Sequence, residues 1–195
     1  TMLRLYPPGG SIPLWSRALT NFAAFPAPEC PTPLLARIGD VDGDGIDDLA
    51  LGFEVTLGAF GGAQTCYLTH PPVIEILSGA TGGTLLGIAP TMVNALERVV
   101  AAAGDMNGDG LPDLLVQSRN FAGGSTVWVH DGQTGQVSTS YVMPGLLAVG
   151  HIVGNVDIDG DGTPDFCVGN PQALPGGVVQ AFSGATGAVL ATIEG

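Results

Sequence analysis

Three stretches of the chain concentrate carboxylates at one spacing. Asp40 to Asp48 reads DVDGDGIDD, Asp105 to Asp113 reads DMNGDGLPD, and Asp157 to Asp165 reads DIDGDGTPD. In each, oxygen-bearing side chains stand at positions 1, 3, 5 and 9. Glycine at position 6 allows the sharp turn that wraps such a loop round an ion, and position 7 can offer its carbonyl. Calcium takes 6–8 oxygens, and this spacing presents most of them, with water filling the rest. Mg2+ fits less well, because it demands strict octahedral geometry and keeps its waters. The chemistry on offer is the holding of a hard divalent cation.

The charge balance points the same way. Asp and Glu total 18 against five arginines and no lysine, for a net charge of −13. Twelve of the acids lie in the three loops, and carboxylates so crowded repel one another unless a cation sits among them. The acidic excess argues against nucleic acid and anionic membrane surfaces as partners. Membrane insertion is not expected either. The apolar stretch Val142 to Val156 is short and is interrupted by Pro144, several glycines and His151. The chain opens on Thr1 without a leader sequence, as expected of a processed product or an excised piece.

The elements that position the loops repeat with them. Gly 31 and Pro 15 in 195 residues suit short strands and frequent turns, not long helices. Each loop is followed by a short apolar run, then by an alternating strand ending in a tight turn. Val73–Leu77 leads into Ser78-Gly79-Ala80-Thr81-Gly82, Thr126–His130 into Asp131-Gly132-Gln133-Thr134-Gly135, and Val178–Phe182 into Ser183-Gly184-Ala185-Thr186-Gly187. Turn glycines at 79, 132 and 184 give a period of 52 to 53 residues. Each unit reads as four strands: A before the acidic loop (98–103 in the second unit), B after it (114–117), then C and D about the Gly-x-Thr-Gly turn. Four short antiparallel strands per repeat is the pattern of a propeller blade. Residues 3–6 and 12–15, around Pro7-Pro8-Gly9-Gly10, read as a lone C–D hairpin. The expected organisation is one all-β repeat domain of about three and a half blades: a half blade at 1–20 and whole blades at 33–90, 95–143 and 146–195.

A helical calcium hand is the nearest competing reading. It requires a bidentate Glu at position 12 and a following helix. Position 12 here is Leu51, Val116 or Val168, each inside an apolar strand. The loops resemble instead the FG-GAP repeat of integrin α-chain propellers and of bacterial secreted repeat proteins. Asp165-Phe166-Cys167-Val168-Gly169-Asn170-Pro171 and Gly177-Val178-Val179 stand where that family has its VGAP-like strand end and GxVxVF strand. The second unit departs, with Gln117-Ser118-Arg119 at the strand end, which affects a turn and no proposed ligand. The resemblance implies three Ca2+ sites. The first would use Asp40, Asp42, Asp44, Asp48 and the Ile46 carbonyl; the second Asp105, Asn107, Asp109, Asp113 and the Leu111 carbonyl; the third Asp157, Asp159, Asp161, Asp165 and the Thr163 carbonyl. Asn107 replaces a carboxylate, so the second site is expected to be the weakest.

An antiparallel meander sends the acidic loops and the Gly-x-Thr-Gly turns to one face. The first unit carries extra length before strand A, with Cys30, and between strands B and C, with Cys66; both insertions fall on the opposite face. A Cys30–Cys66 disulfide is therefore expected, which requires an oxidising, extracytoplasmic compartment. Cys167, aligned with Ala50 and Leu115, reads as a buried small hydrophobe. The insertion 55–70, with Phe60, Tyr67 and His70, is the candidate partner-binding surface. No catalytic site is expected. His70, His130 and His151 are scattered over the units, no H-E-x-x-H or G-x-S-x-G occurs, and the Ser-Gly-Ala-Thr-Gly turns lack a P-loop lysine. Asp131, beside His130, occupies the turn position of Ser78 and Ser183.

These features predict an extracellular, calcium-binding structural or adhesive scaffold with a protein or glycan partner. Two alternatives share the sequence: a self-assembling extracellular filament or surface subunit, and a non-catalytic carbohydrate- or protein-binding module of a secreted enzyme. Closed propellers need about four to eight blades. An incomplete N-terminal blade leaves an open edge through which copies can associate.

Overall fold

A computed structural model of the chain describes residues 2–18, 32–54, 74–88, 95–120, 125–143, 150–171, 173 and 176–195. Among these residues the regular structure is fourteen β-strands and no helix. Strands β1 (Met2–Leu5) and β2 (Trp15–Ala18) pair as a hairpin. Three four-stranded antiparallel sheets follow. The first holds β3 (Thr32–Gly39), β4 (Asp48–Glu54), β5 (Ile74–Leu77) and β6 (Thr84–Ile88). The second holds β7 (Ala95–Gly104), β8 (Asp113–Asn120), β9 (Ser125–His130) and β10 (Val137–Met143). The third holds β11 (His151–Val156), β12 (Asp165–Asn170), β13 (Val178–Phe182) and β14 (Val189–Glu194). Neighbours in each sheet are neighbours in the chain, so every sheet is a simple meander. This is the all-β, blade-like architecture expected from the repeat, with the sheets in a row that does not close.

The N-terminal hairpin departs from the sequence reading: its second strand, expected at 12–15, runs from Trp15 to Ala18. Pro13 has no N–H to give to a ladder. Ladder pairing therefore starts at Leu5 opposite Trp15, and Ile12 and Leu14 are left exposed.

The hydrophobic cores lie between successive sheets. One cluster joins Ile38, Ala50, Ile74, Ile76 and Ile88 of the first sheet to Leu114 and Val116 of the second. Another joins Leu115, Val127, Val129 and Met143 of the second to Ile152, Phe166, Val168 and Phe182 of the third. Period-two patterning produces this, since alternate residues of β9 are buried and its neighbours reach the other face. Each sheet therefore depends on its neighbours for burial.

The D strand of one unit also covers the turn of the next. Trp15 Nε1 donates to the Gly79 carbonyl at 2.8 Å, and the Tyr141 hydroxyl donates to the Gly184 carbonyl. Ile88, six residues past Gly82 as Tyr141 is six past Gly135, packs on Gly135. The same position in the last sheet is Ile193, which is 68% exposed. Cys167 is half-buried rather than buried; its counterpart Leu115 packs against Gly154 of the following sheet.

Phe166 is fully buried, stacked on Phe182 at 5.3 Å and tilted against Tyr141 at 5.1 Å. Phe166→Ala is expected to lower the unfolding free energy by about 3–5 kcal/mol. Tyr141→Phe, which removes one hydrogen bond, should cost about 1 kcal/mol. Urea denaturation of both variants checks the ranking, which places the core between the second and third sheets.

Candidate metal centre

Each acidic loop joins strand A to strand B of its sheet and is shaped by its own carboxylates. In the first loop Asp40 Oδ1 accepts from the N–H groups of Gly43 and Asp44, at 2.8 and 3.0 Å, and Oδ2 accepts from Gly45 at 2.8 Å. Asp42 Oδ1 accepts from Asp44 N, and Asp44 Oδ1 from Ile46 N. The second loop repeats this with Asp105 and Asp109, and the third with Asp157, Asp159 and Asp161. Ile46, Leu111 and Thr163 are tied in through their N–H groups. The backbone can take this path because the glycines at positions 4 and 6 of every loop have φ between 78 and 91°.

The position-9 carboxylates are the buried ones. Asp48 and Asp165 are 0% exposed and Asp113 is 1% exposed. Asp48 Oδ2 accepts from Val41 N at 2.8 Å, inside its own loop. Its Oδ1 accepts from Gly79 N at 2.9 Å, in the C–D turn of the same sheet. Asp113 does the same with Met106 and Gly132, and Asp165 with Ile158 and Gly184. The first turn glycine also lies against the loop backbone. A Cβ at Gly79, Gly132 or Gly184 would overlap the carbonyl oxygen of Asp47, Pro112 or Pro164 respectively. Sequence reasoning took these glycines as hairpin residues and missed their contact with the loops; their fixed distance from each loop was the available signal.

The side chains converge in two of the loops. Asp40, Asp42 and Asp48 each bring one oxygen within 4.8 Å of the others, and so do Asp157, Asp159 and Asp165. These are hard, anionic oxygen donors, the set that suits Ca2+. The ion pairs seen among the described residues, Arg17–Glu75 and Arg37–Asp47, leave these six carboxylates without a cationic side chain. Partial desolvation and the charges of Asp48, Asp44 and Asp40 push Asp42 above the usual carboxylate range, against donation from Asp44 N. The donor set fits a divalent cation.

In the second loop Asn107 takes the place of the third carboxylate. Its Oδ1 accepts from Asp109 N at 2.9 Å. Its Nδ2 donates to Asp109 Oδ2 at 3.1 Å, Asp113 Oδ1 at 3.3 Å and Asp131 Oδ2 at 3.1 Å. Burial pushes Asp113 up to about 6, helped by the Asp109 charge and opposed by the N–H groups of Met106, Gly132 and Asn107.

The remaining candidates do not join this centre. His130 is buried where the other units have Leu77 and Phe182; its Nδ1 lies 3.0 Å from the Gly135 carbonyl, and burial holds its pKa below the usual value. His151 is exposed on β11. Cys30, Cys66, Phe60, Tyr67 and His70 lie outside the described residues.

The FG-GAP-like repeat family matches residues 105–168, which hold the second and third acidic loops. Integrin alpha pat-2 of Caenorhabditis elegans is 28% identical over 156 residues, and that of Caenorhabditis briggsae is 30% identical over 153. Each match takes in 68% of this chain and 12% of the relative, so the chain spans about an eighth of the relatives' length. Among solved structures, the Bacillus licheniformis rhamnogalacturonan lyase PL11 superposes with a TM-score of 0.56 at 14% identity. That superposition covers 98% of this chain and 44% of the lyase, and it shows a shared fold.

Two outcomes follow from the loop geometry. Gly132→Ala must displace the Pro112 carbonyl, so it is expected to destabilise the protein by about 2–4 kcal/mol in urea titration. In the ion-free protein Asp113 ionises near 6, whereas an unfolded chain's Asp ionises near 3.9. The folded state then holds the extra proton between those values. The stability contributed is full below about 3.9 and is lost as pH rises through about 6. Denaturation in chelator from pH 4 to 7 should show this decline, and Asp113→Asn should flatten it.

Proposed function

Starting from a chain that is an integrin-α-like FG-GAP repeat protein, we propose that it is an extracellular, calcium-binding β-propeller module with an adhesive or scaffolding role. The observation that carries the calcium reading is the convergence of three carboxylates in the first loop and three in the third. Each set includes one anion that is 0% exposed and hydrogen-bonded to backbone N–H groups alone. Burying such a charge is costly, and a divalent cation in the loop offsets that cost. The sites would be filled by Asp40, Asp42, Asp44, Asp48 and the Ile46 carbonyl, and by Asp157, Asp159, Asp161, Asp165 and the Thr163 carbonyl. The second loop supplies the third site in register. When bound, the ion contributes charge neutralisation and a rigid junction between the A–B loop and the C–D turn. The partner of an adhesive module is a protein or a glycan, and the Cys30–Cys66 pairing belongs to the same extracellular reading.

A self-assembling role draws support from apolar side chains that are exposed on the third sheet. Val41 and Met106, at position 2 of the first two loops, pack on Gly132 and Gly184 of the following turns. Their counterpart Ile158 is 44% exposed, and Ile193 is left uncovered as well. Light scattering of the purified chain over a range of concentrations separates the two roles. Discrete particles fit the adhesive module, and growth into polymers fits the filament.

Calcium is tested by thermal unfolding in excess Ca2+ and in chelator, with Mg2+ as comparison. Each site filled at 100 times its dissociation constant adds about 2.7 kcal/mol. A clear rise in Tm with Ca2+, reduced in Asp40→Asn and Asp157→Asn, is the expected result. Identical melting in calcium and chelator, with no binding heat, would defeat the proposal.

A further inference from the structure

We infer that Asp131 supplies the fourth carboxylate of the second acidic loop, standing in from the C–D turn for the one that Asn107 lacks. The inference rests on the reading of the loops as divalent-cation sites.

Two exchanges coincide in the second unit and nowhere else. Position 3 of the loop is Asp42, Asn107 and Asp159 in the three units, while the first turn residue is Ser78, Asp131 and Ser183. The unit that loses a carboxylate in the loop gains one in the turn. Counted over loop positions 1, 3, 5 and 9 and the first turn residue, each unit therefore carries four carboxylates: Asp40, Asp42, Asp44 and Asp48; Asp105, Asp109, Asp113 and Asp131; Asp157, Asp159, Asp161 and Asp165.

The geometry explains how one residue serves both purposes. Ser78 Oγ accepts from Thr81 N at 3.2 Å, and Ser183 Oγ from Thr186 N at 3.2 Å, which shapes the turn. Asp131 Oδ1 takes over that task, accepting from Gln133 N at 3.0 Å and Thr134 N at 2.7 Å. A serine has then used its side-chain oxygen, but aspartate has a second. Asp131 Oδ2 faces the loop and meets Asn107 Nδ2 at 3.1 Å. The same Nδ2 reaches oxygens of Asp109 and Asp113, so the Asn107 amide stands among three carboxylates. A neutral amide has two N–H protons and no net charge, so it cannot balance three anions. The second loop keeps the demand for a cation that the other two have, and it is not the weak member of the set that the loop residues alone imply.

The test uses calcium calorimetry on the full chain. Asp131→Asn is the informative variant, because its Oδ1 can still accept from Thr134 N and only the charge is lost. The wild type is expected to bind three ions with similar affinity. Asp131→Asn should weaken one of the three by about tenfold or more, since ligand charge count sets calcium affinity. Asn107→Asp combined with Asp131→Asn moves the charge back into the loop and should restore the third ion. Melting in chelator checks that both variants fold, and Asp131→Ser, the residue of the other turns, repeats the test if Asp131→Asn does not. Three ions bound equally by wild type and Asp131→Asn would overturn the role of Asp131 and leave the calcium reading intact. Two ions bound by the wild type would do the same. No ions bound by any form would overturn both.

Discussion

A carboxylate buried at the start of strand B is the constraint on which the rest of the structure depends. Asp48, Asp113 and Asp165 open β4, β8 and β12, and each is almost wholly removed from water. An anion in that position is unfavourable unless donors surround it. The donors common to all three are backbone N–H groups from two places: the acidic loop just before it and the C–D turn about thirty or twenty residues later. A single side chain therefore fixes where the loop ends, where strand B begins, and where the outer hairpin of the same sheet must return. The turn glycine follows from this, because any Cβ there would push the loop carbonyl off its seat.

The arrangement is passed from sheet to sheet through the same end of the molecule. Gly39 lies against Pro112, and Gly104 against Pro164, so the residue before one loop packs on the eighth residue of the next. Trp15 and Tyr141 donate to the turn carbonyls of the units that follow them. Ion binding in one loop would therefore tighten an edge that the neighbouring sheet already touches. In a row of repeats whose cores lie between members, stiffness at these junctions acts on the whole row.

Much of this was legible in the sequence because it is written three times. A lone D-x-D-x-D-G stretch leaves a helical calcium hand open. Three of them at a period of 52 to 53 residues, each followed by strand-like residues at position 12, do not. Strand order followed from the alternation of apolar residues and the glycine turns. Contacts between segments far apart in the chain were missed. The coupling of Asp48 to Gly79 spans 31 residues and appears only once the meander brings the turn beside the loop. The second N-terminal strand was misplaced because the apolar Ile12 and Leu14 look like strand residues, while Pro13 between them denies the ladder its donor. Cys167, expected to be buried like Ala50 and Leu115, is half-buried, because Leu115 at that position is covered by Gly154 of the next sheet and not by its own.

That last point bears on how exposure should be read in any repeat of this kind. Ile88 is 3% exposed and Ile193 is 68% exposed, although both are isoleucines at one position of the unit. Val41 and Ile158 differ in the same direction. The difference reflects no local preference of either segment, since backbone pairing on both sides is equivalent, with Ile74 opposite Ile88 and Val179 opposite Ile193. It is set by whether another turn lies on top. Ile193 therefore shows on its own strand the apolar surface that Ile88 places against Gly135 of the following turn.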